Sequence, residues 1–169
     1  MDGVGLGFDE LVGLGSRGGH GASHAGLGGH QDLSEAVFYG NATAPTSLGS
    51  GGEQTRGGSA IKLESPGLIN IDGTVNMRGY SYRASGAGGS IWLESDIISG
   101  TGSITARGGG DIYSTGGGGR IRLGYGTNIT FTGKIDVDGG EVDDFPSDNP
   151  GDAGTLTFTD NTWPGDWTL

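Results

Sequence analysis

The chain has no cysteine, which excludes disulfides, thiolate nucleophiles and Cys-ligated zinc or iron–sulfur centres and leaves the redox compartment unassigned. Bases are scarce. Nine Lys and Arg against 20 Asp and Glu give a formal charge of −11, so no nucleic acid partner is expected, and cations or neutral and cationic surfaces are favoured. No apolar run reaches the roughly 18 residues a membrane helix needs, so no membrane insertion is expected. Met1-Asp2-Gly3 opens without the basic and apolar stretches of a signal peptide. Proline is sparse at five residues, but glycine reaches 40 of 169 and hydrophobic residues only 32 %. Such a composition describes disorder unless the sequence has a period.

It has one. Gly57-Gly58-Ser59-Ala60-Ile61-Lys62-Leu63-Glu64-Ser65 returns as Gly88-Gly89-Ser90-Ile91-Trp92-Leu93-Glu94-Ser95, as Gly118-Gly119-Arg120-Ile121-Arg122-Leu123 and as Ala153-Gly154-Thr155-Leu156-Thr157-Phe158. The anchors Ile61, Ile91, Ile121 and Leu156 stand 30, 30 and 35 residues apart, and Leu63, Leu93, Leu123 and Phe158 follow at the same spacing. A second block recurs as Gly73 to Gly79, Gly102 to Gly108 and Gly133 to Gly139. Shorter apolar pieces lie between them, at Leu68 to Ile71, Asp96 to Ile98 and Asn128 to Phe131.

Each block alternates apolar and polar residues, the period of a strand with one buried face. The best helical candidate is Asp32 to Phe38, of one or two turns at most. A repeat of about 30 residues cannot cover its own apolar row, but stacked repeats can. The sequence therefore predicts an all-β chain forming a parallel β-helix, or β-solenoid, with three short strands per coil and glycine-rich corners whose glycines supply positive φ. An antiparallel sandwich or barrel is the competing architecture. The coils are placed at 57–87, 88–117 and 118–152, with a partial coil at 153–169. Residues 1–56, which depart from the repeat, are read as an irregular glycine-rich N-terminal cap. The expected core stack is Ile61, Leu63, Ile91, Leu93, Ile121, Leu123, Leu156 and Phe158. The last strand has no polar capping element after it, so self-association or neighbouring domains of a longer chain are expected there.

The run Gly-Gly-Ser-Ile-Trp-Leu-Glu-Ser, then Ile-Ser-Gly-Thr-Gly-Ser-Ile-Thr-Ala-Arg-Gly-Gly-Gly, then Gly-Gly-Gly-Gly-Arg-Ile-Arg-Leu resembles the glycine-rich parallel β-helix repeats of large secreted and cell-surface proteins, adhesin-like or extracellular-matrix-like. The resemblance covers about residues 15 to 160 and implies an extracellular or cell-surface structural role, by association with a fold that serves as scaffold. The function expected is a rigid spacer or filament subunit with adhesive or lateral contacts, self-assembling head to tail, and not an enzyme. The alternative is a carbohydrate-binding or carbohydrate-active β-helix, with surface glycans as partners.

Candidate sites follow from residue type. The stretch Asp136 to Asp152 carries seven carboxylates and no base. Oxygen ligands on a permissive loop suit Ca²⁺, with Asp136, Asp138, Asp143 and Asp144 as the ligands; the bland reading is a solvated acidic loop. His20, His24 and His30 offer imidazoles for a transition metal, but the surrounding glycines deny the helix that would bring them together. Buried histidines holding the cap by hydrogen bonds are the expectation. Asn41-Ala42-Thr43 and Asn128-Ile129-Thr130 are glycosylation sequons. Glu64 and Glu94 fall in equivalent outward positions, as do Arg78 and Arg107, and either pairing reads as ladder electrostatics or as a catalytic row. Trp92, outward between Ile91 and Leu93, together with Tyr80, Tyr82, Tyr113, Tyr125, Trp163 and Trp167, offers faces for sugar rings or another protein. No Gly-Lys-Ser/Thr leads into a helix, which excludes a phosphate-cradling loop.

Overall fold

The computed structural model describes residues 1–29, 37–110, 113–141 and 150–161. The Asp32 to Phe38 helical candidate falls almost wholly outside them, as do His30, Asp143, Asp144, Trp163 and Trp167. Among the described residues seven strands run in chain order: β1 (Ala60–Asn70), β2 (Thr74–Asn76), β3 (Ser90–Gly100), β4 (Ser103–Thr105), β5 (Arg120–Phe131), β6 (Lys134–Asp136) and β7 (Thr155–Asp160). They form two parallel sheets, one of four strands in the order β1-β3-β5-β7 and one of three in the order β2-β4-β6.

The expected parallel β-helix with three short strands per coil is corrected by this arrangement: the described residues form two separate sheets, not a three-sided coil. The apolar pieces expected as separate strands continue the first strands of each repeat. Ser65 pairs with Ser95 and Leu68 with Ile97, so Pro66 and Gly67 stand against the single residue Asp96. Gly126 and Thr127 oppose the same Asp96 from β5. One bulge, carried across the sheet, joins what the alternation read as two strands.

The glycine-rich stretches, expected as corners with positive φ, form no strand and mostly lack that φ. Among the described residues only Gly5, Gly13, Gly19, Gly40 and Gly100 have it. The runs Gly86 to Gly89 and Gly116 to Gly119 lie flat against other backbone. A Cβ on Gly89 would fall inside the Ser59 carbonyl oxygen and 2.6 Å from that of Gly58. Glycine is required there because backbone touches backbone, an approach that also permits Cα–H···O contacts.

Described residues of the 1–56 segment bond to more than one repeat. Asp2 bridges Asn76 in parallel, while Gly49 and Gly57 bond Gly58 and Phe8. Ala22 donates to Ser85, Gly117 to Ala22 and Asp152 to Leu27. The segment thus follows the glycine flank from one end of the sheets to the other, saturating backbone groups that have no sheet to join.

The core lies between the sheets, where Ile91, Leu93, Ile98, Ile121 and Leu123 of the larger meet Val75 and Ile104 of the smaller. Ile61, Ile91, Ile121 and Leu156 are register partners across the four strands. In the middle of this row Ile91 and Ile121 are fully buried. On the edge strand Leu156 is 38 % exposed, and Phe158, in the neighbouring Leu63-Leu93-Leu123 row, 52 %.

Candidate functional site

The outward face of the four-stranded sheet carries a cluster of polar and aromatic groups. Lys62, Trp92 and Arg122 are register partners on three adjacent strands. The Lys62 ammonium lies 4.2 Å and the Arg122 guanidinium carbon 5.1 Å from the Trp92 ring centre, so cations from the strands on either side of β3 attend one indole. Glu64 and Glu94 are register partners as expected, but the position continues as Gly124 in β5. The Glu94 carboxylate leans into the room that glycine leaves, where a Cβ would sit 2.5 Å from Oε1.

In that place Glu94 accepts the Trp92 indole N–H at 2.7 Å, pairs with Arg122 at 3.2 Å and accepts the Asn161 side-chain amide. Arg122 also donates to the Thr159 hydroxyl at 3.3 Å. Both side chains are largely covered, 12 % exposed for Arg122 and 17 % for Glu94. Charge, amide and indole thus satisfy one another, and neither Trp92 nor Glu94 is presented bare.

Beside this cluster, at the bulge, opens a cleft of about 240 Å³ bounded by Ser65, Pro66, Asp96, Gly126 and Asn161. Asp96 accepts the Thr127 hydroxyl at 2.5 Å, and the Ser95 hydroxyl donates to the Gly67 carbonyl at 2.7 Å. The cleft is smaller than the roughly 300 Å³ at which drug-sized pockets begin, so it suits at most a single small group.

Arg78 and Arg107 stay equivalent: each donates its Nε–H to a carbonyl one repeat on, Arg78 to Gly108 at 3.3 Å and Arg107 to Gly139 at 3.1 Å. Arg107 also pairs with Glu141 at 2.8 Å. They stitch repeats together and lie apart from the Glu94 cluster.

Of the four carboxylates named for Ca²⁺, two are described. Asp136 is buried and paired with Lys134 at 2.8 Å, and Asp138 is exposed. Burial alone would raise the Asp136 pKa; bonds from Lys134 and the Asp138 N–H, with the Lys134 and Arg107 charges, outweigh it and hold the carboxyl below its ordinary value. Among the described residues no three His, Asp or Glu gather as a metal group. The sequon residues Asn41 and Asn128 are both exposed.

His24 is fully buried and stacks on Tyr39 with ring centres 4.5 Å apart. Its Nδ1 lies 2.8 Å from the Gly88 carbonyl, which can only accept, so the ring proton sits on Nδ1. Among the described residues, Tyr39 and Arg120 are the titratable groups facing it; Arg120 donates twice to the Tyr39 carbonyl. Burial, aided by the Arg120 charge and opposed by the Gly88 bond, lowers the His24 pKa from 6.5 to about 4.

A folded-state pKa below the unfolded one means the unfolded chain takes up the proton first. The stability His24 provides is therefore complete above pH 6.5 and is lost as pH falls towards 4, by about 3 kcal/mol in all. Urea unfolding midpoints between pH 7.5 and 4.5 should fall accordingly, and His24→Gln should flatten that slope. Asp72 and Asp136, both held below 3.8, titrate below this window.

Comparison with protein-family models, curated proteins and solved structures gives no match for this chain. Among the described residues no helix is long and apolar enough to cross a membrane.

Proposed function

We propose that the chain is a structural module, a stiff extracellular spacer that makes lateral or adhesive contacts rather than performing chemistry. One observation carries this reading: the three repeats that hold a strand of each sheet are bonded to one another through backbone on every flank. The larger sheet ties Ile61 to Ile91 to Ile121 to Leu156, the smaller ties Val75 to Ile104 to Ile135, and the glycine flank ties Gly58 to Ala87 and Gly88 to Gly117. Bonds repeated in one direction hold length and orientation. The side chains most suited to catalysis or sugar stacking, Glu94 and Trp92, are already engaged with each other and with Arg122 and Lys62. The exposed Asn41 and Asn128 suit a glycosylated surface.

The test is a saccharide array combined with hydrolase and lyase assays, run beside spin-label distances between Thr74→Cys and Lys134→Cys, which the cysteine-free chain permits. The reading expects no turnover, no saccharide whose binding needs Trp92, and one narrow distance distribution. Turnover, or selective binding lost in Trp92→Ala or Glu94→Gln, overturns it.

A further inference from the structure

The two sheets are staggered by one strand. Met1–Gly3 lies along the outer edge of β2, where Asn76 donates to the Met1 carbonyl at 3.0 Å, Gly3 to the Asn76 carbonyl at 2.7 Å and the N-terminal ammonium to the Thr74 carbonyl at 2.7 Å. The segment repeats the details of its neighbours. Val4 N–H bonds the Asp2 side chain as Arg78 N–H bonds that of Asn76 and Asp138 N–H that of Asp136. Ser59 donates to Gly3 as Gly89 donates to Met77, Gly119 to Ala106 and Gly154 to Val137. Met1–Gly3 is therefore an additional member of the smaller sheet at one end, with no described partner along β1 beside it. At the other end β7 is an additional member of the larger sheet, with no described partner along β6.

We propose that these half-filled ends are complementary and that a second copy of the chain docks end to end, its Met1–Gly3 pairing along β6 and its β1 pairing along β7. This names the partner for the structural role above and rests on that role. The repeat fixes the bonds of the joint. Met77 donates to Thr105 and Ala106 to Asp136. Val137, next in that series, meets no acceptor among the described residues, and the Asp2 carbonyl of the second copy takes it. Gly79 donates to Arg107 and Gly108 to Asp138; Gly139 continues to Val4 of the second copy. Ser90 donates to Ser59, Arg120 to Gly89 and Thr155 to Gly119, so Ala60 of the second copy donates to Gly154.

The apolar row continues as well. Leu156 and Phe158, exposed at the β7 edge, meet Ile61 and Leu63 of the second copy, as Ile91 and Leu93 meet Ile121 and Leu123 within one chain. Outside that row Thr157 and Thr159 meet Lys62 and Glu64, without opposing like charges. One pair does oppose: Asp2 falls against Asp136. With −11 on each copy, the joint strengthens as salt screens this repulsion. Because the two surfaces differ, the contact is head to tail and open, and it propagates into filaments.

Sedimentation velocity of the 169-residue chain over rising concentration should show growth beyond the monomer, stronger at high salt. Ala60→Pro removes the donor at one end, and Phe158→Lys places a charge in the apolar row at the other. Each variant alone should be monomeric with the wild-type circular dichroism, and an equimolar mixture should give a one-to-one dimer and nothing longer, because each supplies the end the other lacks. In parallel, Thr157→Cys mixed with Lys62→Cys, each on an otherwise wild-type chain, should oxidise to the mixed disulfide in preference to either homodimer; this readout stands even where an end-blocking variant fails to fold. A wild-type monomer at every concentration, folded variants that do not dimerise on mixing, or a statistical mixture of disulfides overturns the proposal. A monomer would leave the spacer reading intact, whereas a saccharide bound through Trp92 would remove that reading without touching the joint.

Discussion

Gly89→Ala should cost about 3 kcal/mol or more and leave little folded protein at physiological temperature. The added methyl would enter the Ser59 carbonyl and sit 2.7 Å from the Gly58 carbonyl carbon, and both obstacles are backbone already committed to neighbouring repeats. Gly89 itself donates to Met77, and its own carbonyl accepts from Arg120, so it cannot retreat without breaking bonds on two sides. The contrast is Gly67→Ala. Nothing lies within 4 Å of a Cβ at Gly67 and its φ is not positive, so the same change should stabilise by about 0.4–1 kcal/mol by restricting the unfolded chain. Equilibrium urea unfolding of the two variants checks both signs. Equal effects would mean that glycine acts here through flexibility rather than through close approach.

Leu93→Ala should lose about 2–5 kcal/mol, the range for an aliphatic side chain removed from a core that collapses only partly. Leu93 is fully buried between its register partners Leu63 and Leu123. Phe158 occupies the same row one strand beyond Leu123, yet is 52 % exposed. Phe158→Ala should therefore cost no more than about 1 kcal/mol in the dilute monomer, since most of its surface is never taken from water. Thermal or urea unfolding at low concentration separates the two, and similar losses would mean that something covers the β7 edge.

What the sequence conveyed most directly was the register of the larger sheet, because the Ile-x-Leu pairs repeat in residue identity and a parallel pairing places identical side chains opposite one another. Two features misled. Pro66-Gly67 and Gly126-Thr127 look like breaks between strands, but each spans a bulge against Asp96, and only the partner strand reveals that. Glycine carries no mark of its purpose: the residue that would turn a corner is the same one that lets two backbones touch. The place of Met1–Gly3 was legible in part, since Asp2-x-Val4-Gly5 matches Asn76-x-Arg78-Gly79 and Asp136-x-Asp138-Gly139, but the match is short and lies outside the regular spacing. At the outward face, the outward direction of Trp92 followed from alternation. Its two cations follow from reading Lys62, Trp92 and Arg122 as one column, and the seat of Glu94 from noticing that the third repeat has Gly124 where the first two have glutamate.

A stiff module requires a glycine flank held as firmly as the sheets. Native-state amide hydrogen exchange measures this residue by residue. The N–H groups of Gly58, Gly88, Gly117 and Gly119, each bonded to a carbonyl at 2.7–2.9 Å, should exchange as slowly as those of Ile91 and Ile121 in the buried strands. Exchange of these glycines at the rate of an open loop, with the strands still protected, would contradict it.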